Sequence, residues 1–462
     1  MLDDTIAAIA TPLAEGGIGI VRISGPQAID IAEKVFIPVS NSLWRKQKYK
    51  LVYGHVVDNR TGKIIDEVLL SNMPGPKSYT REDVVEINCH GGPVPLRKTL
   101  ELILGAGARL AEPGEFSKRA FLNGRLDLTR AEAIIDIIRA TTEDALQLAV
   151  SQLSGRLAQE VDAILNELLS VVVLVEAAID FPEDEVEDYS PERINERLGK
   201  VSAKAQSLID SAEMGKVYRE GLRTVIIGKP NVGKSSLLNV LLREKRAIVT
   251  EVPGTTRDII EEILNLGGVP VVLIDTAGIR KTGDAVEKIG VARSLESIDR
   301  ADLVLMVVDA STELDSEDEE IIDLVKNKRG VLVLNKIDLE AGSAVKNKNQ
   351  LTFKLPHWPM VEISALLEQG IKKLEQTVVE LVTGGQVLPR DGVMVSNVRH
   401  RNQLVKAKEH LREAQEAINL GLTPELVVID IRAAWEAVGE INGSVITEDI
   451  VDKIFADFCI GK

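Results

Sequence analysis

Gly228-Lys229-Pro230-Asn231-Val232-Gly233-Lys234-Ser235 follows the apolar run Thr224 to Ile227 and precedes a helical run from Ser236 to Leu242. The pattern predicts a strand, a glycine-rich turn and a helix, the arrangement that cradles phosphate. Glycines let backbone N–H groups of the loop, from Asn231, Val232 and Gly233 to Ser236, curl around the phosphates at the positive end of the helix. Lys234 supplies a charge for the β- and γ-phosphates, and the Ser235 hydroxyl a ligand for Mg²⁺.

Outward from this loop, further motifs stand at strand ends. Asp275-Thr276-Ala277-Gly278 closes the run Val271 to Ile274. Asp275 can hold the Mg²⁺ hydration shell there, and Gly278 can offer its N–H to the γ-phosphate. Between the two motifs, Gly254-Thr255-Thr256-Arg257-Asp258 offers a threonine hydroxyl for the same ion. Asn335-Lys336-Ile337-Asp338 follows Gly330 to Leu334 and names the base, because Asp338 can accept both the N1–H and the 2-amino protons of guanine. Adenine has no such donor pair, and a site built on that carboxylate rejects it by up to ~10⁴. Lys336 would lie along the base, and Ser364-Ala365-Leu366 after Met360 to Ile363 would present backbone N–H to its oxygen. Residue 279 is Ile, where many switch GTPases carry a water-orienting Gln, so that group must come from elsewhere. Asn231 can serve as a cation ligand or simply as a turn residue.

The chain has 462 residues, which calls for two or three domains. Aromatics are only 3% against 45% hydrophobic residues, favouring helices and parallel strands. A net charge of -16 argues against coating nucleic acid through an overall field, so any such contact must be local. Cys89 and Cys459 are too few for a disulfide framework or zinc site. Neither a leader nor an apolar run of membrane-spanning length is legible, Leu168 to Ile179 being interrupted by Glu176, so a cytoplasmic protein without membrane or DNA partners is expected.

Alternating runs at Ile18 to Ile23, Leu51 to Val57 and Val84 to Asn88, separated by helical patterns, predict an N-terminal α+β domain over 1–119. Helical spacing from Leu146 through Val150, Leu153, Leu157 and Val161 to Leu168 marks a helical domain, 120–219. Residues 220–382 alternate strands and helices, and 383–462 return to helix. The economical reading is α/β and α: a helical domain split by an inserted phosphate-loop domain with a mostly parallel sheet.

With these motifs, the whole chain resembles the MnmE (TrmE) family of tRNA-modification GTPases, down to the ending Cys459-Ile460-Gly461-Lys462, which matches that family's Cys-x-Gly-Lys tail. The resemblance implies a folate-binding and dimerising N-terminal domain, with Arg22, Glu86, Arg125 and Lys462 in a pocket for 5-formyl- or methylene-tetrahydrofolate. Read from the residues alone, Arg22 and Glu86 inside apolar strands are equally well explained by pairing with each other or with neighbours. The resemblance further implies K⁺ held by Asn231 with Thr250, Val252 and Thr255, inside a nucleotide shell that runs from Thr250 and Glu251 through Pro253 to Thr256. Mg²⁺ would sit on Ser235, Thr256 and, through water, Asp275. Glu287 would orient the attacking water, filling the gap left by Ile279, although by itself it reads as a helix-start carboxylate. Lys234, Thr256, Glu287 and Cys459 are the expected catalytic groups, Cys459 otherwise being a packing cysteine. Implied partners are a second copy, the flavin-dependent MnmG protein and tRNA, whose wobble uridine would be modified at C5. A ribosome-assembly or purely regulatory GTPase shares the same nucleotide motifs, but no basic RNA-binding tail accompanies them here.

Overall fold

The computed structural model describes residues 3–40, 44–181, 190–245, 262–274, 296–339, 343–384 and 393–461. Its first layer is a seven-stranded sheet formed by β1 (Ile6–Ile9), β2 (Gly16–Ser24), β3 (Phe36–Pro38), β4 (Leu51–Asp58), β5 (Lys63–Met73), β6 (Val84–Gly91) and β7 (Arg109–Leu110), in the order β3-β4-β5-β6-β2-β1-β7. Helices α1 (Ala28–Val35) and α2 (Pro93–Gly105) cover one face. The period-2 alternation sends Val21, Ile23, Val85 and Ile87 into the core with Ile31, Leu96 and Ile103. The uncovered face keeps Ile37, Leu51, Tyr53 and Leu69 exposed. Gly19 lets α2 approach, since a Cβ there would stand 2.6 Å from Leu96 Cδ1.

Helices then follow as α3 (Glu115–Leu122), α4 (Leu128–Arg139), α5 (Glu143–Leu153), α6 (Arg156–Asp180) and α7 (Pro191–Glu220). The expected continuous helical spacing from Leu146 to Leu168 is divided in two. α5 ends at Leu153, Gly155 takes φ +91, and Leu146 and Val150 are exposed. A Cβ at Gly155 would collide with the Arg130 guanidinium, so the break is a tight crossing that the apolar period does not register. In α6, Leu157, Val161, Ile164, Leu165, Leu168, Val172 and Val175 recur at helical spacing and are buried. Ser190 caps α7 by accepting from Arg193 N, and Gly221 at φ +82 ends it.

The second sheet comprises β8 (Leu222–Ile227), β9 (Glu262–Leu266), β10 (Val269–Leu273), β11 (Leu303–Asp309), β12 (Gly330–Asn335) and β13 (Met360–Glu362), in the order β13-β12-β11-β8-β10-β9. All pairings are parallel except β9 with β10. Its helices are α8 (Lys234–Lys245), α9 (Ser316–Val325), α10 (Ser343–Lys354) and α11 (Ile371–Thr383). β11 and β12 are buried at every residue, as parallel strands covered on both faces must be. Successive strands add to opposite sides of β8, so the loop after β8 opens at the point where strand order reverses, where such sheets bind ligands.

After this sheet come α12 (Val398–Asn419), α13 (Pro424–Asn442) and α14 (Glu448–Ala456). Leu404, Leu411, Ile431 and Val438 from α12 and α13 share one core with α6 and α7. α14 instead packs Val451 and Phe455 on Leu128, Ala131 and Ile135 of α4. Among the described residues no helix is long and apolar enough to cross a membrane.

Candidate functional site

The turn after β8 has the backbone that its sequence demands. Gly228 (φ +145), Asn231 (φ 63) and Gly233 (φ +102) occupy the left-handed region, which only glycine enters freely and asparagine tolerates. A Cβ at Gly228 would meet the Val307 carbonyl of β11, and one at Gly233 the Asn335 amide, so close approach also excludes other residues. Lys229 pins the loop from outside: its Nζ lies 2.7 Å from both Asp315 and Asp318, which form the capping box of α9. Lys234 donates to the carbonyls of Gly228 (2.7 Å) and Lys229 (2.6 Å). Burial pushes its ammonium below the usual lysine range, and among the described residues no carboxylate offsets the loss of water. A half-buried cation ringed by carbonyls and N–H groups is suited to an anion such as phosphate.

The base-end motif joins this loop through one side chain. Asn335, almost fully buried at the end of β12, donates from Nδ2 to the Val232 carbonyl (2.8 Å) and accepts on Oδ1 from Ala365 N (2.9 Å). It therefore fixes phosphate loop and 364–366 turn relative to each other and does not itself point to solvent. Ile337 N, donating to Ile363 O at 3.3 Å, brings the two turns edge to edge. Lys336, at φ +65, extends to Asp309 with Nζ 2.6 Å from Oδ2. Burial works against the Asp309 carboxylate, but hydrogen bonds from Lys336 and Ser311 outweigh it and hold the group below its usual range. Asp338 and Leu366 are exposed, Ser364 and Ala365 buried. Asp309 is a site residue that the motif reading did not flag; it ends an all-apolar strand with no glycine to mark the turn.

Of the other expected nucleotide groups, Ser235 stands in the first turn of α8 and Ser236 follows it, exposed. Thr250, Glu251, Val252, Pro253, Gly254, Thr255, Thr256, Asp275, Thr276, Ala277, Gly278, Ile279 and Glu287 lie outside the described residues, as does Lys462. Asn231 is exposed in a left-handed turn, which satisfies its plain reading as a turn residue.

A second polar cluster lies on the first sheet. Arg22 and Glu86 are register partners on β2 and β6, and Arg22 Nε donates to Glu86 Oε1 at 2.7 Å. The pairing read from the residues is therefore present, and it is not closed. Arg22 Nη1 also donates to the carbonyl of Gly461 (3.1 Å), 439 residues along the chain. The guanidinium lies 5.5 Å from the ring centroid of Tyr79 and 5.6 Å from that of Phe116. Arg125 covers the same Tyr79 ring at 4.7 Å and donates to its carbonyl (2.7 Å). Gly461 has φ +92, and a Cβ there would strike the Ile9 carbonyl, which is why the tail needs glycine at that place. Cys459 is exposed, and its carbonyl accepts from Gly114 N at 3.4 Å. His90, next to last in β6, has Nδ1 2.7 Å from Asp66, as a strand-end histidine. Tyr79 and Phe116 were missed by sequence reading; the only signal was an aromatic in the otherwise polar run Lys77-Ser78-Tyr79-Thr80-Arg81.

Two family models match the chain: the GTP-binding protein TrmE N-terminus over residues 5–125 and the MnmE helical domain over 128–459. The chain is 53% identical to the tRNA modification GTPase MnmE of Desulforamulus reducens and 50% identical to that of Alkaliphilus oremlandii, with 100% of both chains covered in each case. Among solved structures, the G domain of the T. maritima FeoB iron transporter aligns with 35% of this chain and 98% of its own at 27% identity and a TM-score of 0.25, too low to add to the strand order described above. With full-length relatives at half identity and models spanning both ends, the chain belongs to the MnmE (TrmE) family of tRNA modification GTPases.

Proposed function

We propose that this chain couples GTP hydrolysis to installation of an aminomethyl or carboxymethylaminomethyl group at C5 of the wobble uridine of certain tRNAs, together with a flavin-dependent MnmG protein. The observation that carries the reading is the C-terminal tail laid on the Arg22 cluster, with Gly461 held 3.1 Å from Arg22. It adds a second site to a chain that already has a phosphate loop.

In this reading Lys234 and the N–H groups of its loop hold the β- and γ-phosphates, and Asp338 selects guanine. Ser235, Thr256 and, through water, Asp275 hold Mg²⁺, while Asn231 with the backbone of Thr250, Val252 and Thr255 holds K⁺, whose charge speeds hydrolysis when two G domains meet. Glu287 orients the attacking water. Arg22, Glu86, Arg125 and Lys462 hold a tetrahydrofolate derivative, which supplies the one-carbon unit beside the Cys459 thiol. A guanidinium, a carboxylate and a tyrosine ring in one cluster fit a flat heteroaromatic with N–H donors and an acidic tail.

The layout that goes with it is a folate-binding domain over 1–119, a helical domain built from 120–219 and 383–462, and a G domain at 220–382 inserted into it. The core shared by α6, α7, α12 and α13 supports the split. A homodimer is supported by the apolar open face of the first sheet at Ile37, Leu51, Tyr53 and Leu69. Two free cysteines accord with the cytoplasm.

Mass spectrometry of tRNA nucleosides from cells with and without the protein tests the reaction. Loss of the C5-modified wobble uridine is the expected result, and an unchanged nucleoside profile overturns the assignment. Hydrolysis no faster in K⁺ than in Na⁺ removes the cation from the mechanism.

A further inference from the structure

A cavity of about 400 Å³ lies where four pieces of the chain converge: Glu132, Ile135 and Arg139 of α4, Arg219 at the end of α7, Asn397 and Arg399 at the start of α12, and the stretch from Ile450 to Phe458 in and after α14. That volume is within the range of small-ligand sites. Its lining is unlike the rest of an acidic chain, with Arg139, Arg219, Arg399 and Lys453 against Glu132 and Asp457. Two of these cations are spoken for. Arg399 grips Glu132 at 3.1 Å, and Arg219 Nε donates to Asp136 at 2.8 Å. The other two are exposed and, among the described residues, have no carboxylate partner; Arg139 donates only to the backbone carbonyl of Asp457 (3.0 Å) and Lys453 stands opposite on α14. Behind them the walls are apolar: Ile135, Ile450, Ile454 and Phe458.

Two available cations over an apolar, aromatic-edged floor form the donor set for a nucleotide, phosphate on the rim and base inside. The place is apt as well. Phe458 lines the cavity, and the next three residues carry the chain to Arg22. A nucleotide held here therefore lies on the same short segment as the second polar cluster.

We propose that this cavity is the docking site for a nucleotide of the RNA substrate, with Arg139 and Lys453 on its phosphates. The assignment rests on the tRNA reading above and gives a protein of net charge -16 a local place to hold polyanion.

The test is titration of the full-length protein, loaded with GDP and Mg²⁺, against fluorescein-labelled tRNA bearing an unmodified wobble uridine, over a salt series. R139E/K453E weakens binding at least tenfold and lowers the slope of log affinity against log salt by about one to two. R139Q/K453Q falls between it and wild type. K372E/K373E, an equal charge change on exposed lysines of α11, stays within twofold of wild type. Affinity for a fluorescent GDP analogue reports folding, and the neutral pair decides the outcome if the reversed pair does not fold. If wild type binds and the cavity variants bind no more weakly than K372E/K373E, the cavity assignment falls and the tRNA reading stands. If wild type holds no tRNA at all, both fall.

Discussion

Arg119 and Lys234 are both cations withdrawn from water, and their surroundings are opposite. Arg119 of α3 is fully buried among Asp4, Glu82 and Glu115, with nitrogen to oxygen distances of 2.7, 3.2 and 2.9 Å. Lys234 is met, among the described residues, by two backbone carbonyls and no carboxylate. The first arrangement ties the residue stretch just before β1, the Thr80 to Glu82 turn and α3 together and more than offsets the charge of the cation. The second leaves a positive charge that only a further anion can balance. A buried cation is thus read as framework or as site by counting the carboxylates around it.

The contrast can be broken from both ends. Replacing Arg119 with Ala removes the guanidinium shared by Asp4, Glu82 and Glu115, leaving Arg109 on Asp4 and Glu115 only, and should cost about 3–5 kcal/mol, read by urea denaturation of the full chain; a loss below 1 kcal/mol would show that the cluster does not hold the fold. Lys234→Ala should do the reverse, lowering GTP hydrolysis by about 10²-fold or more while the melting temperature holds or rises, since a poorly compensated charge is removed.

Glu132 sits between the two cases. Burial raises its pKa, but the charge of His400 and Arg399 and their hydrogen bonds win, bringing it to about 2. A carboxyl depressed in the folded state contributes stability that is complete above its ordinary range near pH 4.5 and is lost as pH falls toward 2. The stability gap between wild type and Glu132→Gln should therefore be widest above pH 5 and narrow on acidification; a gap independent of pH would remove the ionised form from the network. The smallest effect is expected at Arg412, which has Glu409 and Glu416 beside it but lies on an exposed helix face. Arg412→Ala should leave the urea unfolding midpoint of the full chain unchanged, and a clear drop would mean that counting acids matters even in water.

The turn after β8 was legible because its shape is local. Gly228, Gly233 and Lys234 are set by the backbone shape of one turn, and that shape recurs as a spacing along the chain. Asn335 was legible by motif, but not the part its amide plays in joining Val232 to Ala365, which depends on a turn thirty residues further on. Asp309 was legible only as the polar end of an apolar run; its contact with Lys336 depends on β12 lying beside β11. The break at Gly155 was hidden for a related reason, because apolar spacing continues across it while the constraint comes from Arg130 on another helix.

By itself the sequence determined a glycine-rich turn on a parallel sheet, an Asn-Lys-x-Asp turn at a neighbouring strand end, two helical stretches flanking them and the family to which the whole chain is related. Each of these depends on residues within a few positions of one another, where backbone geometry and periodicity are written directly. Only the tertiary structure decided that Arg22 meets both Glu86 and a carbonyl from the last residues, that Tyr79 lies between Arg22 and Arg125, and that four distant segments line a cavity with two cations that have no carboxylate partner among the described residues. Whether a charge is paired depends on what folding brings to it across hundreds of residues, and no local pattern records that distance.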